Sequence, residues 1–188
     1  MRRLQFALRD ERAAQLVEFA VALPLLVVFV VGIFDFSGAF TLKQKITNAA
    51  RDAARAAAAD PATDLGNSTT PVSVLDAFQT AVNYLTTNGL NSCGVTVASL
   101  AQQGSSLTWT ATGSGCPPTS GLVSIAINRA LPNAQSVGGT TTYLIQTQVT
   151  IQYAYAWHFN RVIALLSSGT TYGGIVTLTG TANALNEN

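Results

Sequence analysis

Apolar residues run almost without interruption from Ala13 to Phe34, where Glu18 is the one charge, and the pattern then changes twice along the chain. From Phe36 onward, positions Phe36, Phe40, Lys43, Ile46, Ala50, Ala53 or Ala54, and Ala57 recur at three or four, with Lys45, Arg51, Asp52 and Arg55 around them. That spacing, in an Ala-rich stretch, predicts a helix, and Asp60 followed by Pro61 stops it. The two patterns join into one helix over 14–60, about 70 Å long, with a membrane-apolar half over 14–35 and an amphipathic half over 36–60. Pro24 is expected to kink it, because its ring clashes with the carbonyl of Ala20.

Residues 61–71, rich in Thr, Asp, Gly, Asn and Pro, read as a linker. A second helix follows. Ser73 and Asp76 have capping-box spacing, Leu75, Phe78, Val82 and Leu85 form one stripe, and Gly89 is placed for a C-terminal cap. After Gly89 the period becomes two. Val95 and Val97, Leu107 with Trp109, and Val123, Ile125 and Ile127 are short alternating runs separated by Gly, Ser and Pro. In 143–157, Tyr143, Ile145, Val149, Ile151, Tyr153, Tyr155 and Trp157 share one face, while Gln146, Gln148, Thr150 and Gln152 share the other. A last strand over 174–182 places Val176, Leu178 and Ala182 together. The pattern predicts an α+β protein: a long N-terminal transmembrane and amphipathic helix, then a head over 72–188 with one further helix and an antiparallel sheet.

The uninterrupted apolar run, Phe19 to Phe34, is short of the roughly 20 residues that cross hydrocarbon as a straight helix. Either Glu18 or Asp35 must therefore approach an interface, and both carboxylates are candidates for a function. Asp35 reads equally as an interfacial carboxylate ending a span or as a partner contact. Two plainer readings stand beside this one. A signal peptide cut near Ala56 to Ala59 has too long an apolar core and too distant an exit. A plain single-pass anchor leaves Glu18 to chance, at a cost of up to a few kcal/mol within a span.

Only 10% of the residues are charged, the net charge is +1, and after Asp76 the charged residues are Arg129, Arg161 and Glu187. That balance excludes disorder by charge excess and a general grip on nucleic acid, which needs clustered Lys and Arg. Four Lys or Arg precede the span and Lys43, Lys45, Arg51 and Arg55 follow it, so charge counting leaves the orientation undecided.

Four motifs carry a resemblance: Glu-Arg-Ala-Ala-Gln-Leu-Val-Glu-Phe-Ala (11–20), Leu-Pro-Leu-Leu (23–26), Gly-Ile-Phe-Asp-Phe (32–36) and Asn-Ala-Ala-Arg-Asp-Ala-Ala-Arg (48–55). In this order and spacing they resemble the TadE-like family, minor pilins or pseudopilins of the tight-adherence, Flp-type, type IV pilus machinery. The resemblance covers about the first 60 residues. It implies a type IV pilin-like fold, a cytoplasmic leader over 1–13, and cleavage by a prepilin peptidase between Ala13 and Ala14, which makes Glu18 the fifth mature residue. Ala13 stands where the family normally has Gly.

The resemblance further implies a single-pass protein of the bacterial inner membrane, its N-terminus cytoplasmic and its head periplasmic, with a role in pilus assembly and cell adhesion. The partners implied are other pilin or pseudopilin subunits, the pilus assembly platform and the prepilin peptidase. The segment over 161–166 and the last strand also fit as a pattern. Physically, a carboxylate in a bilayer gains several kcal/mol from a cation. A free amine at Ala14 lies one helical turn from Glu18, and a neighbouring subunit's amine is the alternative. Glu18 is then expected to set axial register during assembly.

Cys93 and Cys116 are the only cysteines, without CxxC spacing and in a chain with one His, His158, so a metal site is not expected. In an oxidising periplasm a disulfide is the better reading, closing a loop of about two dozen residues for about 3 kcal/mol. No G-x-S-x-G, P-loop or H-E-x-x-H occurs. The expectation is a non-catalytic subunit without cofactors that acts by assembly. The alternatives are a permanently membrane-anchored periplasmic binding or adhesion module outside any filament and, more remotely, a secreted enzyme released near Asp60.

Overall fold

The computed structural model describes residues 11–63, 65–66, 69–116, 121–137, 139–157 and 175–187, and of 11–13, 116 and 137 the backbone only. The expected leader over 1–13 lies almost wholly outside this set, as do His158 and the segment over 161–166. Helix α1 (Glu11–Ala59) is one unbroken helix that runs through Pro24. Helix α2 (Val72–Thr87) follows, and then strands β1 (Leu100–Gln102), β2 (Thr108–Cys116), β3 (Gly121–Val137), β4 (Thr140–Tyr155) and β5 (Val176–Leu185). The strands form one antiparallel sheet in the order β1-β2-β3-β4-β5. The fold is α+β, with both helices packed on one face of the sheet.

Alternation decides which face is covered. Val123, Ile125 and Ile127 of β3 and Val149, Ile151, Tyr153 and Tyr155 of β4 are buried beneath the helices, with Trp109 and Ala111 of β2 beside them. The opposite face of β4 and β5 carries uncharged polar pairs: Gln148 donates to Asn183 at 3.1 Å, and the Thr150 and Thr181 hydroxyls lie 3.4 Å apart. Such cross-strand pairs suit a solvated face.

Helix α1 and strand β5 run side by side in the same direction. Tyr155, paired with Val176, touches Asp35; Gly180 lies on Ile46 and Thr47; the Glu187 amide donates to the Ala58 carbonyl at 3.2 Å. From Asp35 to Ala58 the helix rises about 35 Å, and from Val176 to Glu187 an extended strand covers about 36 Å. Equal lengths let the two elements stay in contact from one end of the head to the other.

Several local expectations change. The N-cap of α2 is Pro71, without a side-chain cap bond, and Ser73 is buried in the first turn. Because the helix already starts at Val72, Ser73 is its second residue and not its cap. At the other end the expected Gly89 does the capping: it has φ +75°, its amide donates to the Thr86 carbonyl at 3.0 Å, and the Leu90 amide donates to the Leu85 carbonyl at 2.9 Å. These are the two bonds of a Schellman cap. The alternation of Val95 and Val97 is not a strand. Val95 closes a turn and Val97–Ser99 is a short 3-10 helix.

The buried stripe of α1 is also offset from the expected one at its start. Asp35, Ala39 and Leu42 face the head and lead into Ile46, Ala50, Ala53 and Ala57, whereas Phe36 and Phe40 face outward, 70% and 65% exposed. Tyr143 and Ile145 point to the covered side of the sheet yet are exposed. There the β4–β5 ladder has ended, and beyond the bond from the Asn186 amide to the Ile145 carbonyl β4 pairs with β3 alone. The helix that would cover them has already ended at Ala59.

Candidate functional site

The first half of α1 stands away from the head. From Ala14 to Val27 every side chain is exposed, and α1 is long and apolar enough to cross a membrane. Glu18 projects from this half, one turn beyond Ala14, with Phe19 next to it. Four residues on a helix place two side chains on one face about 6 Å apart, so an amine at Ala14 is within reach of the Glu18 carboxylate. Ala13 is helical but its side chain is outside the described set. Thus Ala13, Ala14, Glu18 and Pro24 all lie on the exposed half, and Asp35 lies on the head.

Asp35 is 4% exposed. The Tyr155 hydroxyl donates to its carbonyl at 3.1 Å and is 3.5 Å from its Oδ1. Gly38 makes this approach possible, because a Cβ there would sit 2.8 Å from the Tyr155 Oη. The Trp157 ring, half-buried, meets Phe36 and Tyr155 edge-on at centroid distances of 5.4 and 5.3 Å. Edge-to-face contacts of this kind add roughly 0.5 to 1.5 kcal/mol each beyond area burial. The end of β4 is thereby fastened to α1 where the exposed half meets the head.

Burial raises the pKa of both Tyr153 and Tyr155 above the ordinary tyrosine value, and for Tyr155 the charge and hydrogen bond of Asp35 raise it further. The fold therefore holds protons that the unfolded chain has already released. The stabilisation is fully present below the ordinary value of 10.0 and is lost as pH rises through the folded values. Tyrosinate absorbance on the detergent-solubilised protein is expected to show late-ionising components, and Tyr155→Phe should remove one of them.

At the far end of the helical spine sits a residue the sequence pattern underrated. Arg129 is fully buried. It continues the inward series Val123, Ile125 and Ile127, and that alternation was the signal that could have found it. A bulge puts Arg129 and Ala130 opposite Thr147 alone. The guanidinium donates to the Ala57 carbonyl, to the Asp60 carbonyl at 3.1 Å, to Thr147 Oγ1 at 2.7 Å and to Asn186 Oδ1 at 3.3 Å. A cation there meets the negative end of α1 and occupies carbonyls that have no partner within the helix.

Residues 13–55 match the family model described as TadE-like protein. This stretch is TadE-like. It contains the whole exposed half and most of the helix that carries the head, and the resemblance drawn from the four motifs agrees with it. No curated protein and no solved structure matches the chain. The TadE-like stretch lies on the helix that is long and apolar enough to cross a membrane.

Cys93 is disulfide-bonded. The other cysteine of the chain, Cys116, ends β2 with its side chain outside the described set. Cys93 has φ +54°, a left-handed conformation within the turn closed by the Val95 amide on the Ser92 carbonyl at 3.0 Å. Among the described residues, no three His, Cys, Asp or Glu side chains gather to hold a metal ion.

Proposed function

We propose that this chain is a minor pilin or pseudopilin of a Flp-type pilus, a non-catalytic subunit that waits in the inner membrane with its head in the periplasm and enters an assembly through α1. The observation that carries this reading is the division of one continuous helix into an apolar half bearing Glu18, exposed throughout from Ala14 to Val27, and a half that forms the spine of the head. A subunit built this way moves as one body when it leaves the bilayer. A prepilin peptidase cuts between Ala13 and Ala14, and the new amine, or that of a neighbouring subunit, pairs with Glu18. In hydrocarbon the uncompensated carboxylate is costly, so the pair favours the axial register in which amine and carboxylate meet. Other pilin subunits and the assembly platform are the partners, and the nearly uncharged head contacts neighbouring subunits or a cell surface.

Glu18→Ala is expected to leave the protein in the inner membrane and to reduce piliation strongly, counted by electron microscopy of sheared filaments; normal pilus numbers would contradict the role of Glu18. Intact mass of the membrane and filament fractions is expected to give a chain beginning at Ala14. Ala13 in place of the family's Gly favours a second reading, a permanent anchor, and retention of the leader in every fraction would establish it.

A further inference from the structure

The apolar run from Phe19 to Phe34 is too short to cross hydrocarbon, and the fold changes that arithmetic. Asp35, which ends the run in sequence, is turned into the head and covered by Tyr155. On the outward face the apolar series continues as Phe19, Ala22, Leu26, Phe29, Ile33, Phe36 and Phe40, at alternating steps of three and four. From Phe19 to Phe40 this stripe is about 32 Å long, against about 30 Å of hydrocarbon. Just past its last ring, the Thr41 hydroxyl is satisfied inside the helix, since Thr41 Oγ1 donates to the Ser37 carbonyl at 2.9 Å. Glu18 and Lys43 are the exposed charges that bracket the stripe.

The head presents matching chemistry at the same level. Trp157 meets Phe36 edge-on, and Ile175 and Val176 are exposed at the start of β5, beside Tyr155. Aromatic rings with one apolar and one polar side collect at the headgroup level of membranes.

We infer that the end of the head formed by Phe36, Phe40, Trp157, Ile175 and Val176 is a lipid-contact surface, seated at the bilayer interface so that the span extends past Asp35 to Phe40. The inference rests on the reading of α1 as a membrane span, and the surface is continuous with that span. Its occupant is bilayer lipid.

The test uses the full chain in phosphatidylcholine vesicles whose acyl chains carry bromine near the headgroup. The chain has two tryptophans, and Trp109 is buried in the core at 3% exposure, which leaves Trp157 as the reporter. The bromolipid is expected to remove most of the Trp157 emission, and the quenched component should vanish in Trp157→Phe. A Phe29→Trp change in the Trp157→Phe background, placed in vesicles brominated near the ends of the acyl chains, reports on the span itself. Quenching of that tryptophan without quenching of Trp157 would overturn the inference and leave the span intact; quenching of neither would remove both. Phe36→Cys and Phe40→Cys at low protein-to-lipid ratio should react with lipid-dissolved maleimide. Copy-to-copy crosslinks there instead would assign the face to a second copy and overturn the lipid assignment.

Discussion

Arg129→Met is expected to lower the stability of the head by about 3 to 5 kcal/mol, because charge-assisted hydrogen bonds contribute roughly 1.5 to 3 kcal/mol each and several end on this guanidinium. Met fills most of the volume, so the loss is of bonds more than of packing. The Ala57 and Asp60 carbonyls close α1, Thr147 lies in the middle of β4, and Asn186 follows β5. Thr147 also donates to Asn186 Oδ1 at 2.7 Å, so its hydroxyl proton is already engaged. Small domains hold about 5 to 15 kcal/mol in all. Arg129→Lys should fall between wild type and Met, since an ammonium is a point charge that cannot serve both carbonyls and the β4 hydroxyl with a planar fork. Urea unfolding followed by far-UV circular dichroism measures the order; a Met variant within about 1 kcal/mol of wild type would show that the network is dispensable.

Gly180 is the second sensitive position. A Cβ added there would lie 2.8 Å from the Ile46 carbonyl carbon, 2.8 Å from the Thr47 nitrogen and 2.9 Å from the Ile46 oxygen. All three are backbone atoms of a helix, so no side chain can turn aside. Gly180→Ala should cost about 1 to 3 kcal/mol through overpacking and Gly180→Val more, with the melting temperature falling in the same order. Lys43 supports the same seam from the other side by donating to the Thr179 carbonyl. Because β5 and α1 touch along the whole head, a forced gap at Gly180 also loosens the grip at Asp35 and Ala58. Weakened protection of the β5 amides in hydrogen exchange would register that loosening; unchanged protection in a stable Ala variant would mean that the backbone contact is not what holds the layers together.

Together these two sites help to join α1 to the head along the head's whole length. The spine is fixed at its membrane end by Tyr155 and the aromatic contacts, in the middle by bare backbone contact at Gly180, and at its far end by Arg129. A pull on the exposed half of α1 would be shared among three separated contacts.

By itself the sequence determined the elements whose causes are local. An apolar run of membrane length, Ala-rich helical periodicity, the Asp60-Pro61 stop, the Gly89 cap and period-two alternation each depend on residues close together in the chain, and so do the four TadE-like motifs. The distribution of charge, with three charged residues after Asp76, was equally legible. What the tertiary structure decided is which face meets which neighbour. The spacing of three and four admits two adjacent stripes at the start of the amphipathic half, and only the position of Tyr155 selects Asp35, Ala39 and Leu42 over Phe36 and Phe40. The inward side of β4 was predictable, but its burial ends where α1 ends, which leaves Tyr143 and Ile145 uncovered. Arg129 looked like an isolated charge in a strand; its partners come from residues 57, 60, 147 and 186, far apart in sequence and brought together by a bulge, a helix end and a C-terminal strand. Local pattern fixes what an element is, because its causes lie within a few residues; packing fixes what that element touches, because close contact between layers depends on the shape of both.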